Sequence, residues 1–231
     1  MANTEKKRRA SRRRTELLLA PVYVPAMLRV IDSLRTDQRL LDGEDLDLEH
    51  IKIESLDGTP LHMTACGQGE DAVFFVHGWT CNESIFRFQQ DHFRDRYRIY
   101  TLELRGHGKS GVPASLDYHP DRLAEDLKAA IDHVGPKEMV LSTPMTTLSL
   151  AAKACFDFHY DYFLPSVDVP VALLVGDRDK LTNRESNERT AGLLPDARLR
   201  VFEGAGHCAM LERREDFNAA LESFLYDVFS S

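Results

Sequence analysis

No uninterrupted apolar run in the 231 residues approaches the ~18 that a membrane span needs. The sequence therefore predicts no spanning helix. The four cysteines, Cys66, Cys81, Cys155 and Cys208, lie far apart and form no C-x-x-C pair. That argues against a disulfide framework and a zinc site, and it fits a reducing compartment, so a cytoplasmic location is expected. The nine histidines include no H-E-x-x-H pattern, and His159-Tyr160-Asp161 alone is too sparse for a metal site. No metal or cofactor is expected. Glycine (13) and proline (10) are modest, which excludes a fibrous or low-complexity chain.

What is present is a globular composition, 43% hydrophobic, with length for one good-sized core. The net charge of −8 is unevenly spread: residues 1–14 hold seven basic side chains and one acidic one, +6, so −8 less +6 leaves −14 on the remainder. An acidic body of this kind does not predict nucleic-acid binding. The block Lys6 to Arg14 admits two readings, a solvated tail or an arm drawn to an anionic membrane surface, which would make the protein peripheral to the membrane. Leu17 to Ile31 is apolar but broken by Pro21 and Pro25. Ser11-Arg12-Arg13 resembles a twin-arginine signal only faintly, because Glu16 interrupts it and no small-residue cleavage site follows. Residues 1–45 are read as a basic arm with a short helical segment, and 46–231 as the main domain.

In that domain, Ile51 to Ser55 and Leu61 to Ala65 read as strands joined by Leu56-Asp57-Gly58-Thr59, a hairpin signal. Val73-Phe74-Phe75-Val76 has no polar face, so it predicts a strand covered on both sides in a mostly parallel sheet. A helix follows at Ser84 to Phe93 and a strand at Arg98 to Leu104. Pro120 to Val134 places Leu123, Leu127, Ile131 and Val134 at helical period, with Gly135 as a stop. Glu138 to Leu141 is a short strand, and Leu148 to Phe156 is helical in composition. Val171 to Val175 and Leu199 to Phe202 are strands around a helix at Glu185 to Leu193. Phe217, Leu221, Phe224, Leu225 and Val228 form the face of a closing helix. Alternation of strands and helices predicts an α/β fold.

Parallel sheets place their chemistry beyond the carboxyl ends of the strands. There stand His77-Gly78-Trp79, then Arg105-Gly106-His107-Gly108-Lys109-Ser110, then Gly176-Asp177-Arg178-Asp179, then Gly204-Ala205-Gly206-His207. In that order and on those elements, the pieces resemble the α/β-hydrolase family over about residues 48–231. The resemblance implies a serine attacking an acyl carbon, His207 as general base, and Asp179 orienting it, with Asp177 as the fallback. It implies an oxyanion and substrate pocket at His77, Gly78 and Trp79, where the Trp79 backbone N–H helps to hold the developing charge. It also implies a small ester or acyl substrate.

The departure is the nucleophile. The family carries a G-x-S-x-G elbow after the fifth strand, and no such pattern occurs in this chain. Glu138 to Leu141 runs instead into Ser142-Thr143-Pro144-Met145, and Thr146 to Val169 resembles the segment ahead of the penultimate strand. The expectation is an abridged α/β-hydrolase fold, with an internal deletion at about Leu141 to Thr146 that removes the elbow, a strand and most of the cap. The two edges so created must either pair directly or stay open to self-association. Ser142 is the candidate substitute nucleophile, although it lacks flanking glycines and Pro144 offers no N–H. Ser84, as a helix N-cap, and Cys81, as a small buried residue, are weaker candidates. Gly108-Lys109-Ser110 ends like a phosphate-binding loop, but Glu103 stands where that loop requires glycine. The residues thus admit two functions: an impaired hydrolase of ester or related acyl bonds, or a non-catalytic binding or scaffold protein held by its basic arm.

Overall fold

The chain reverses at its Asp-Gly pair. In the computed structural model, which describes residues 46–78, 81–142 and 164–230, strands β1 (Glu49–Glu54) and β2 (Pro60–Cys66) form an antiparallel hairpin. Within the turn, Ser55 N donates to Thr59 O at 2.9 Å and Thr59 N to Asp57 Oδ1 at 3.0 Å. The basic arm, the apolar segment at 17–31, Trp79 and the stretch 148–156 lie outside the described residues.

Strand β3 (Ala72–Val76) is buried at every position, as a strand without a polar face requires. Its two sides meet different partners. Phe74 and Val76 join a core with Met63, Leu102 and Leu123, while Phe75 stacks on Phe86 at 4.7 Å between ring centroids. Phe86 closes a 3-10 turn at Glu83–Phe86, from which helix α1 (Arg87–Phe93) continues. The cap of that turn is Asn82, whose side chain accepts from Ser84 N at 3.0 Å, so Ser84 is not the capping residue. Strand β4 (Arg98–Glu103) pairs parallel to β3 and antiparallel to β2. Helix α2 (Pro120–Val134) lies over the sheet and ends where Gly135 takes φ 61°. Strand β5 (Met139–Ser142) then pairs parallel to the other edge of β3.

Among the described residues the resulting sheet has the order β1-β2-β4-β3-β5. Strand β6 (Val171–Gly176), helix α3 (Arg184–Leu193) and strand β7 (Ala197–Phe202) make a separate two-stranded parallel sheet. Helices α4 (Ala209–Glu212) and α5 (Arg214–Phe229) complete the described chain. The expected sheet is thus interrupted between β5 and β6: the two strands do not pair. Side chains join the halves instead. Buried Gln89 on α1 donates to Met210 O at 3.1 Å and to Asn218 Oδ1 at 2.9 Å. Among the described residues no helix is long and apolar enough to cross a membrane.

Candidate active site

The turns after β6 and β7 meet backbone to backbone. Asp177 N donates to Phe202 O at 3.1 Å and Arg178 N to Ala205 O at 2.8 Å. The Asp177 side chain is spent in the same joint, its Oδ1 accepting from Gly204 N at 2.7 Å. It caps a turn and does not reach His207. Asp179 does: its Oδ2 lies 2.8 Å from His207 Nδ1. Of the two aspartates considered, the fold brings Asp179 to the histidine.

Asp179 is held from three sides. Leu181 N and Thr182 N donate to Oδ1 at 2.8 and 3.0 Å, and the Thr182 hydroxyl donates to Oδ2 at 2.6 Å. Burial is the largest influence on this carboxyl and pushes its pKa up, but the bonds from His207 and Thr182 together outweigh it. The net shift is downward, so the group stays ionised at neutral pH and the bonded imidazole nitrogen is held as a donor. His207 Nε2 has no hydrogen-bond partner among the described residues. Its loop is fixed by Glu212, whose two carboxylate oxygens accept from Gly206 N at 2.9 Å and Cys208 N at 3.3 Å. Neither Thr182 nor Glu212 was marked by any motif. Their signal is local: a hydroxyl three residues beyond the aspartate, and a carboxylate in the short helix after the histidine.

Asp179, Thr182 and His207 line one end of a cavity of about 530 Å³, together with Ser142 and Gly176 at the carboxyl ends of β5 and β6. Its walls are apolar, including Phe86, Met210 and Phe224. Ser142 shares this cavity with His207, but no hydrogen bond joins the two among the described residues. Burial pushes the Cys208 thiol up to about 12 and the Cys81 thiol above its ordinary value, so neither is poised as a thiolate.

His77 departs from the expected pocket role. It is fully buried; its Nδ1 lies 2.8 Å from Gly78 O, and its Nε2 accepts from Leu104 N at 3.1 Å. Both ring nitrogens are committed, so the ring clamps the end of β3 to the end of β4 and does not line the cavity. Gly78 is buried, and its carbonyl also accepts from Cys81 N at 3.1 Å. The Arg105–Ser110 turn is structural. Glu103 accepts from Lys109 N at 2.7 Å inside it, which fills the space a phosphate loop would keep free. Among the described residues no group of three or more histidine, cysteine or carboxylate side chains could hold a metal ion.

Known proteins are similar to this chain in sequence over part of its length and in fold. Epoxide hydrolase 4 of Mus musculus is 34% identical over 86 residues, 36% of this chain and 24% of that protein, so the match spans about a quarter of the relative's length. A thermophilic esterase from Thermogutta terrifontis superposes with a TM-score of 0.68 at 18% identity, covering 78% of this chain and 99% of that one. An aryl esterase described as putative, from Burkholderia cenocepacia, superposes with a TM-score of 0.69 at 22% identity, covering 79% and 100%. At these identities the two superpositions show a common fold. The family model described as the alpha/beta hydrolase fold matches residues 71–142 and again 140–214, more than half of the sequence, and on that ground the chain belongs to the α/β-hydrolase family.

Proposed function

We propose that this is a hydrolase site for ester or related acyl bonds that keeps its acid–base pair and lacks the nucleophile elbow, so that the chain by itself has little serine-hydrolase turnover. The reading is carried by the Asp179–His207 bond of 2.8 Å at one end of an apolar cavity. Ionised Asp179 keeps the proton on Nδ1, which leaves the lone pair of Nε2 to take a proton from an attacking hydroxyl. In the complete mechanism that hydroxyl adds to the acyl carbon, and backbone N–H groups near Trp79 hold the oxyanion. Ser142 is a poor donor of that hydroxyl, because it makes no bond to His207 and Pro144 follows where elbow N–H groups would begin. The two family matches meet at residues 140–142, which supports an internal shortening at about Leu141 to Thr146. Epoxide hydrolases and esterases, the kinds of protein that this chain resembles, both add water across a carbon–oxygen bond, and that is the chemistry assigned to this site.

Labelling with a fluorophosphonate, read by intact mass and peptide mapping beside His207→Ala, tests this. The expected result is folded protein with no His207-dependent adduct. A stoichiometric adduct on Ser142 that disappears in His207→Ala would overturn the impairment and establish a rebuilt triad.

A further inference from the structure

The loop that carries Asp179 is fastened from behind by a residue that touches neither Asp179 nor His207. Asn187 lies one turn into helix α3 and is 2% exposed. Its side-chain Nδ2 donates to Thr182 O and to Asn183 O, each at 3.0 Å. Both partners are carbonyls, so the amide must turn its nitrogen to them. The helix does not need these bonds for its own start, because Asn183 Oδ1 already caps it by accepting from Ser186 N at 2.9 Å. Burial alone favours an apolar side chain at such a position, and a buried amide is costly unless it is bonded. The amide of Asn187 is therefore accounted for by what it holds.

What it holds is Thr182. With its carbonyl gripped by Asn187, Thr182 gives its two donors to Asp179, the N–H to Oδ1 at 3.0 Å and the hydroxyl to Oδ2 at 2.6 Å. Oδ2 is the oxygen that lies 2.8 Å from His207 Nδ1. A carboxylate bonded at both oxygens by one neighbouring residue has its plane fixed, and so is the direction in which Oδ2 meets the imidazole. We propose that Asn187 is a positioning residue of this site: through Thr182 it holds the Asp179 carboxylate against His207 and thereby fixes which ring nitrogen carries the proton. The inference rests on the acid–base reading of the Asp179–His207 pair. An imidazole without an acceptor at Nδ1 populates both tautomers. For part of the time Nε2 then carries the proton and has no lone pair with which to accept one.

The test is nuclear magnetic resonance of the full chain with 15N-labelled histidine at about pH 9, where an ordinary imidazole is neutral. The unaltered chain should show a protonated Nδ1 and a bare Nε2 on His207. In Asn187→Ala, and in Asn187→Asp, which keeps the shape but turns an acceptor towards the two carbonyls, the Nδ1–H correlation should be lost and the two nitrogen shifts should converge. Thr190→Val removes another buried bond of the same helix, from the hydroxyl to Ser186 O at 3.0 Å, and should leave the tautomer unchanged. One measurement needs no variant: on the unaltered chain the Nδ2 protons of Asn187 should exchange at least about tenfold more slowly than those of exposed Asn82. Three results would overturn the positioning role: an intact Nδ1–H in the folded Asn187 variants, its equal loss in Thr190→Val, or side-chain exchange of Asn187 as fast as that of Asn82. A proton on Nε2 in the unaltered chain would overturn the acid–base reading itself, and this inference with it.

Discussion

A Cβ placed on Gly176 would lie 2.3 Å from Gly206 O and 2.4 Å from Ala205 O, and both obstacles are backbone. That close approach carries the Asp179 turn against the His207 turn. Gly176→Ala should therefore cost about 2–4 kcal/mol in a urea titration; a cost below about 0.5 kcal/mol would mean that the turns are free to separate. His77 and His62 set a pH response. Burial is the largest influence on each and lowers its pKa below the ordinary 6.5, against the pull of Gly78 O on His77 and of Glu103 on His62. Such a histidine binds a proton more readily when unfolded, so its stabilising effect is complete above about pH 6.5 and is lost as pH falls through the folded value. The urea midpoint should fall between about pH 7.5 and about pH 5.5, and fall less in His77→Asn. A midpoint independent of pH over that range would show that these rings do not stay neutral.

Arg105 ties three elements together. Its Nε and Nη2 donate to Asp126 Oδ2 and Oδ1, each at 2.6 Å, and its Nη1 donates to Asp57 Oδ2 at 2.9 Å. Ser55 Oγ donates to Asp126 Oδ1 at 2.5 Å, so the β1–β2 hairpin, the end of β4 and α2 share one buried polar cluster. Asp126→Ala would strand the Arg105 charge in a site with no solvent exposure, and it should cost about 3–5 kcal/mol by urea denaturation. The Lys128–Asp132 pair on the same helix is exposed, and Asp132→Ala should cost no more than about 0.5 kcal/mol. Equal costs would deny Arg105 its joining role. The sequence placed Arg105 at the carboxyl end of a strand but did not reveal Asp126, which is 21 residues away and reads as one more polar position on an amphipathic helix.

The described residues form two sheets joined through helices. β3 and the bounds of α2 were legible because an apolar run and a Pro–Gly frame are local signals. The interrupted sheet was legible only as a choice between direct pairing and open edges. Among the described residues β5 and β6 have no further strand partner, and Leu141, 41% exposed, and Val169, 57% exposed, stand beside the cavity. Unpaired edges with apolar neighbours favour self-association. Sedimentation velocity should show weight-average mass rising with concentration, and Leu141→Lys, which puts a charge on the β5 edge, should reduce the rise without lowering thermal stability. A monomer at all concentrations would mean that the edges are already covered.

By itself the sequence determined the order of the elements, the two-sided burial of β3, the loops that carry Asp179 and His207, and the lack of a G-x-S-x-G elbow. Each of these is written in contiguous residues. Only the tertiary structure decided that Asp179 and not Asp177 meets His207, that His77 faces inward as a clamp, that Arg105 pairs with Asp126, and that β5 and β6 stand apart around a cavity. Those outcomes depend on which distant segments are brought within about 3 Å of one another, and that distance is set by sheet order and turn packing, which no local pattern encodes.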